Sequence, residues 1–125
     1  MHKDKSDKLK AGPVWDFDYG TYCAGKAFII SSAIYYDRLF QDPVFKARAK
    51  ERWIALKDKF ATIPDFISSE AERLTRSADL NITLWPLDGQ TINKDESLSY
   101  QEATNKMKTW YQERINWMDS QINLW

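Results

Sequence analysis

Two aspartates set among aromatic residues are the part of this sequence best suited to chemistry. Asp16 and Asp18 lie in the run GPVWDFDYG, which spans residues 12–20 and has glycine at both ends. Side chains of an extended strand alternate between its two faces, so both carboxylates share one face and the aromatic rings the other. Proteins rarely place two carboxylates beside an apolar surface without a cation to neutralise them. The run therefore predicts a site for a divalent metal ion.

The other residues capable of chemistry give weaker signals. His2 stands alone near the start of the sequence, where a histidine is usually solvated. Cys23 has no basic neighbour closer than Lys26, so it is interpreted as a small packing residue and not as a nucleophile. Trp85 falls in a predicted loop and Trp125 is the last residue, and at either position a further part of the protein could pack.

Composition limits the functional classes. The 125 residues are enough for one domain or part of one, and 43% of them are hydrophobic. Lysine and arginine balance aspartate and glutamate at 18 each, so we expect no nucleic-acid partner. A single cysteine excludes an internal disulfide and a thiolate metal cluster. No apolar run approaches the roughly 20 residues that span a bilayer, so we expect no membrane span.

The elements that must position Asp16 and Asp18 begin with a short hairpin. Residues 1–4 are typical of the end of one strand, residues 5–7 of a turn, and residues 8–18 of a returning strand that bends at Gly-Pro. A two-stranded hairpin is marginal alone in water, so it needs a sheet or a helical surface to lie on. Because the sequence starts inside a strand, we expect it to be part of a larger fold.

The remainder of the sequence predicts helices. After an irregular segment at 19–31, helical periodicity begins at Ser32, and the Asp-Pro pair at 42–43 is typical of an N-cap and the first helical position. A further helix opens at Pro64, and the residues at 99–102 have the form of a capping box. The apolar residues spaced to face a core are Ala33, Tyr36, Leu39 and Phe40; Phe45, Ala49, Trp53, Leu56 and Phe60; Ile67, Ala71, Leu74 and Ala78; and Ala103, Met107, Trp110 or Tyr111, Ile115, Met118 and Ile122. The predicted fold is mainly α with a short N-terminal β-hairpin.

Three segments resemble a known family. The run at 12–20 is similar to the metal-binding strand of the spore-coat protein H (CotH) kinase-like family. The sequence RLFQDPVF at 38–45, followed by Arg52 and Trp53, resembles the helical segment after that strand. The sequence WYQERINWM at 110–118 resembles the C-terminal helix of the family. The similarity keeps the order of the family and extends over nearly the whole chain.

The resemblance implies an atypical kinase fold that transfers phosphate from ATP to protein serine with a divalent metal, Mg²⁺ being the expected ion. It implies that Asp16 takes the place of the aspartate in the kinase Asp-Phe-Gly motif and binds the metal that bridges to the nucleotide phosphates. It implies that Asp18 is the second acid of the same metal-binding motif. Members of the family are often exported or attached to the bacterial surface, which implies an extracytoplasmic location.

Strand geometry agrees with separate roles for the two acids. Residues two apart in a straight strand lie about 6.6 Å from each other. Two oxygens bound to one Mg²⁺ at about 2.1 Å must approach within about 4 Å. Asp18 therefore joins Asp16 on one ion only if the backbone bends, for instance toward Gly20, or if two ions are present. Otherwise Asp18 binds through water or accepts backbone N–H bonds in the next turn.

The sequence lacks the remaining parts of a kinase. Phosphoryl transfer needs a phosphate cradle, a lysine to hold the phosphates and an aspartate to orient the hydroxyl. Gly20 and Gly25 are too far apart for a phosphate loop, and only fifteen residues precede Asp16. In the family, the nucleotide-binding lobe and the catalytic acid come before the metal-binding strand. We therefore expect residues 1–125 to form a single domain that corresponds to the C-terminal part of a CotH kinase-like domain.

This expectation assigns no catalytic residue and no ATP-binding residue to the chain. ATP and Mg²⁺ belong to the complete protein, and the expected partner is the missing N-terminal lobe or another protein chain. The alternative hypothesis is a non-catalytic helical interaction module that presents aromatic surface to a partner, in which Asp16 and Asp18 only shape a turn. A gene remnant without activity is a third alternative.

Overall fold

The computed structural model describes residues 2–10, 12, 26–86 and 98–125. This part of the chain is mainly helical, as the sequence predicts. Its regular elements are a 3₁₀-helix at Ile29–Ser32, α1 at Ile34–Leu39, α2 at Pro43–Ala61, α3 at Ile63–Leu84 and α4 at Tyr100–Ile122. None of the described helices combines the length and the apolarity that a membrane-crossing segment needs.

One turn and one bridge occupy the position of the predicted N-terminal hairpin. The Asp7 N–H donates to the Asp4 carbonyl at 3.1 Å, and His2 and Lys10 exchange two backbone hydrogen bonds at 2.9 and 3.1 Å. Lys10 also forms a salt bridge with Asp7. Residues 2–10 contain no regular strand, and the returning strand predicted as far as residue 18 lies mostly outside the described residues. The hairpin therefore stays a prediction.

Capping residues determine where two of the helices start. The Asp42 carboxylate accepts a hydrogen bond from the Val44 N–H at 2.8 Å, and Pro43 occupies the first turn of α2, where no N–H is needed. Ser99 and Glu102 form a reciprocal capping box at the start of α4. The Ser99 N–H donates to the Glu102 carboxylate at 2.8 Å, and the Glu102 N–H donates to Ser99 Oγ at 3.2 Å. Both predicted starts are confirmed.

The core lies between α2 and the second half of α4. Trp53 of α2 is buried with Ile115 and Ile122 of α4. The Trp53 indole N–H donates to Asp119 Oδ1 at 2.7 Å, which satisfies the polar atom of the buried ring. Partly buried around this core are Phe28, Phe60, Tyr111, Met118 and Trp125. The apolar stripes predicted for α2 and for this half of α4 are therefore confirmed.

Helices α3 and α4 run antiparallel and overlap over part of their length. The Tyr100 hydroxyl, at the start of α4, donates to the Ala71 carbonyl in the middle of α3 at 3.1 Å. Further along α4, Lys108 Nζ donates to Ser68 Oγ at 2.9 Å. The part of α3 after Ala71 therefore extends beyond the start of α4. Leu74 is 39% exposed for this reason, although its spacing predicts burial.

We call residues 72–84 of α3, together with the C-cap residue Trp85, the projecting half of α3. Its large exposed apolar side chains are Leu74, Leu80, Ile82, Leu84 and Trp85. Ala103 of α4, which was also expected to face a core, is exposed as well. The helical periodicity predicted which faces are apolar, whereas the overlap of α3 and α4 determines which of those faces are covered.

Replacing Trp53 with alanine should remove the centre of the core. The Trp53→Ala variant should lose about 3–5 kcal/mol of unfolding free energy, the usual cost of deleting a buried aromatic ring. Urea unfolding followed by circular dichroism measures this loss. The matched control is Trp85→Ala, because Trp85 is 68% exposed and a surface substitution changes stability by about 0.5 kcal/mol or less. Similar losses in the two variants would contradict the assigned core.

Candidate functional site

The two predicted metal ligands, Asp16 and Asp18, lie outside the described residues, so their metal site stays a prediction. Within the described ranges, no group of three or more His, Cys, Asp or Glu side chains is placed to hold a metal ion. His2 is exposed to solvent. Cys23 also lies outside the described residues. What the structure shows near the candidate site is therefore the arrangement of the residues that follow Asp16 and Asp18 in the sequence.

Those following residues are attached to the last turns of α4. Arg114 Nη2 donates to the Ala27 carbonyl at 2.6 Å. The ring centroid of Phe28 lies 4.7 Å from that of Trp117 and 5.2 Å from that of Trp125. The Arg114 guanidinium carbon lies 4.5 Å from the centroid of the Trp117 ring, in cation–π geometry. We call these five residues the α4 anchor.

Further contacts hold the end of α4 in place. Lys50 Nζ of α2 donates to the carbonyls of Asn123 at 2.7 Å and Trp125 at 3.2 Å, as cations commonly do at a helix C-terminus. The ring of Phe40, next to α1, makes an edge contact with Trp125 at 5.2 Å between centroids. Trp125 therefore packs within this chain. Of Trp85 and Trp125, Trp85 is therefore the one whose exposure leaves it available to a further part of the protein.

Asp119 joins α4 to two residues of α2. Its Oδ1 accepts the hydrogen bond from the Trp53 indole at 2.7 Å and lies 3.5 Å from Lys57 Nζ. The indole hydrogen bond, followed by the charge of Lys57, lowers the pKa of the Asp119 carboxyl below its usual value of 3.8. The carboxylate is therefore favoured in the folded state, where it links two helices.

A cavity of about 310 Å³ lies along the first half of α4. The described residues that line it are Leu98, Tyr100, Ala103, Thr104, Lys106, Met107 and Trp110. Ligand sites usually combine an apolar lining with a few convergent polar groups that orient the ligand. This lining is mostly apolar, with Lys106 as its charged member among the described residues. It is better suited to an apolar side chain of a further protein segment than to a polar cofactor.

The pKa of Asp119 predicts an acid-sensitive contribution to stability. Because folding lowers this pKa, the carboxylate stabilises the fold above the unfolded value of 3.8, and the contribution is lost as the pH falls through the folded pKa. The difference in unfolding free energy between the parent and Asp119→Asn should therefore be constant near neutral pH and shrink below about pH 4. Urea unfolding at a series of pH values measures it.

The control for this experiment is Asp58→Asn, which changes an exposed aspartate on α2. Near neutral pH its unfolding free energy should lie within about 0.5 kcal/mol of that of the parent, because the substituted side chain is on the surface. A parent-to-variant difference for Asp119→Asn that persists unchanged at the lowest pH would contradict the role assigned to the Asp119 charge.

Comparison of the chain with family models, with curated proteins and with solved structures found no match. The resemblance to the CotH kinase-like family therefore rests on the residues of the segments at 12–20, 38–45 and 110–118.

Proposed function

We propose that this chain is the helical C-terminal part of a CotH-like protein kinase. Its role is to supply metal-binding acids and a helical packing surface to a nucleotide-binding lobe. Asp16 is the proposed direct ligand of a divalent metal, Mg²⁺, and Asp18 the second acid. In the complete protein, ATP and the metal serve phosphoryl transfer to protein serine, whereas this chain alone is inactive. The family resemblance also favours an extracytoplasmic location.

Unburied apolar surface is the observation that supports this proposal most directly. In the projecting half of α3, Leu80, Leu84 and Trp85 are 55%, 66% and 68% exposed. Large apolar side chains grouped on a protruding helix mark a surface that another part of a protein covers.

Two of the three segments that resemble the family, 38–45 and 110–118, contain residues that hold the helices together. Segment 38–45 includes Phe40 and Phe45, whose ring centroids lie 5.2 Å apart where α1 meets α2. Segment 110–118 includes Ile115 of the core and Trp117 of the α4 anchor. Similarity at packing residues is what a shared fold requires, so these positions support the proposed relationship.

A non-catalytic interaction module is the second proposal. The projecting half of α3 and the mostly apolar cavity beside α4 favour it, since both present apolar surface to a partner. In this proposal Asp16 and Asp18 shape a turn and bind no ion. The two proposals share the packing surface and differ in metal dependence, so metal binding distinguishes them.

Removing both acids tests the metal site. Mg²⁺ or Mn²⁺ should raise the Tm of the parent, because a ligand that binds only the folded state stabilises it, by about 2.7 kcal/mol at 100 times its Kd. The double variant Asp16→Asn with Asp18→Asn should show no rise. Differential scanning calorimetry with and without the metal measures both shifts.

The matched control carries Asp58→Asn and Asp79→Asn, which remove the same charge from exposed positions on α2 and α3. It should keep the full metal-dependent shift. No shift in the parent would favour the interaction module. Equal shifts in the parent and in the Asp16 and Asp18 variant would refute the proposed ligands.

Nucleotide binding tests the incompleteness of the site. Isothermal titration of the chain with Mg²⁺ and ATP should give no saturable heat, because the sequence lacks a phosphate cradle and its lysine. The same titration with the metal alone serves as the reference. Saturable ATP binding by these 125 residues would show that the site is more complete than we propose.

A further inference from the structure

The apolar face by which α3 packs on α4 continues into the projecting half of α3. Ala71 lies beside the start of α4, where its carbonyl accepts the hydrogen bond from the first residue of that helix at 3.1 Å. Leu74, Ala78 and Ile82 follow at spacings of three or four residues, so they lie on the same face of α3, and Trp85 comes three residues later. Leu74 and Ile82 are each 39% exposed, and Trp85 is 68% exposed. We call Leu74, Ala78, Ile82 and Trp85 the α3 stripe.

An apolar cavity lies where the α3 stripe begins. It is the cavity of about 310 Å³ along the first half of α4, and Leu98, Tyr100 and Ala103 line the part nearest the start of that helix. Leu74 is three residues, or about 5 Å of helix, beyond the residue whose carbonyl Tyr100 contacts. The described part of the chain therefore has exposed apolar side chains and an apolar cavity next to each other.

We propose that two copies of this chain form a dimer in which the α3 stripes pack antiparallel and the Trp85 ring of each copy lies at the α4 cavity of the other. A helix antiparallel to α3 and in line with α4 extends the packing that α4 provides to the rest of this face. In the antiparallel pair Leu74 lies opposite Trp85 of the other copy, and Ala78 lies opposite Ile82. Each contact occurs twice, so the interface is closed and gives a dimer and not a filament.

The position of α4 selects the antiparallel orientation. In a parallel pair, the residues of the second α3 that precede its Leu74 would occupy the space that α4 fills. In the antiparallel pair, α3 of the second copy instead ends at its C-cap residue Trp85, near the point where α4 begins. The indole ring is then the side chain of the second copy that lies nearest to the cavity.

Apolar burial favours this pair, and no charge has to be buried with it. The charged side chains of the projecting half fall outside the α3 stripe by their spacing, and they are Glu72, Arg73, Arg76 and Asp79. Tryptophan is enriched among the residues that dominate the binding energy of an interface, particularly where the ring fills a pocket. The α3 stripe thus has the composition of an interface core, with charged residues at its rim.

This inference goes beyond both proposed functions, because it names a second copy as the partner of the packing surface that they share. If the chain is the C-terminal part of a kinase, the nucleotide-binding lobe competes with the second copy for this surface. If the chain is an interaction module, the second copy is itself the partner. The dimer requires neither the metal nor ATP, so a failure of metal binding would leave it standing.

Sedimentation equilibrium over a range of protein concentrations tests the dimer. The parent should show a reversible equilibrium between monomer and dimer. Ile82→Asp places a charge in the α3 stripe and Trp85→Ala removes its largest side chain. Each should weaken the Kd of the dimer about 30-fold, the loss typical of a central interface residue. The control Ile54→Asp makes the same change at an isoleucine of α2 that is 52% exposed, and it should keep the parent Kd.

Another part of the same chain is the competing occupant of the α3 stripe. A parent that stays monomeric at every concentration would overturn the dimer. If Ile82→Asp then lowers the Tm far more than Ile54→Asp does, the stripe is covered by its own chain. A dimer whose Kd is unchanged in both Ile82→Asp and Trp85→Ala would place the interface elsewhere and would also overturn the proposal.

Cross-linking tests the orientation of the two helices. In a Cys23→Ser background, a short thiol cross-linker should join two copies of Ala78→Cys far more readily than two copies of Leu74→Cys, at concentrations where sedimentation shows that both are dimeric. Ala78 lies near the two-fold axis of the antiparallel pair, whereas the two Leu74 positions are about 16 Å apart along the helices. Equal cross-linking of the two variants would indicate a parallel pair and contradict the proposed arrangement.

Discussion

The packing of Trp53 against the second half of α4 is the interaction on which the described structure depends. Its indole ring is buried between helices, and its N–H is satisfied by Asp119, whose charge is balanced in turn by Lys57. The Trp53 side chain thus contributes apolar burial and also has a fixed orientation, because the hydrogen bond to Asp119 allows few orientations of the ring. The same half of α4 then supports the aromatic rings of Phe28 and Trp125. One face of α4 therefore packs against both α2 and the segment around Phe28 that precedes the helices.

A mismatch in helix position explains why so much apolar surface stays uncovered. Helices α3 and α4 have nearly equal lengths, 22 and 23 residues, but the start of α4 lies beside the middle of α3. The apolar face of α3 is thereby divided into a part covered by α4 and the projecting half. Small domains bury a modest share of their surface and are correspondingly marginal in stability. An additional element that covered the projecting half of α3 would increase apolar burial where the described part of the chain leaves large apolar side chains exposed.

The sequence predicted the features that depend on neighbouring residues and missed those that depend on distant ones. The caps at Asp42 and Ser99 were predictable because each acts within its own first turn. The exposure of Leu74 was not, since it follows from how α4 lies along α3 and not from the periodicity of either helix. Arg114 gave no signal as an anchor, because its partner carbonyl at Ala27 is 87 residues away. The acidic run is likewise a local pattern, and its metal site stays a prediction.

The distance along the chain between Trp53 and Asp119 also affects synthesis. These partners are 66 residues apart, so α2 leaves the ribosome well before the helix that buries its tryptophan exists. At about 5–20 residues per second, the delay is about 3–13 s, whereas helices form within about a microsecond. During those seconds the apolar faces of α2 and α3 are not yet covered by α4 and are accessible to chaperones. The nascent chain therefore passes through a stage in which the apolar residues of its future core are exposed and can bind other apolar surfaces.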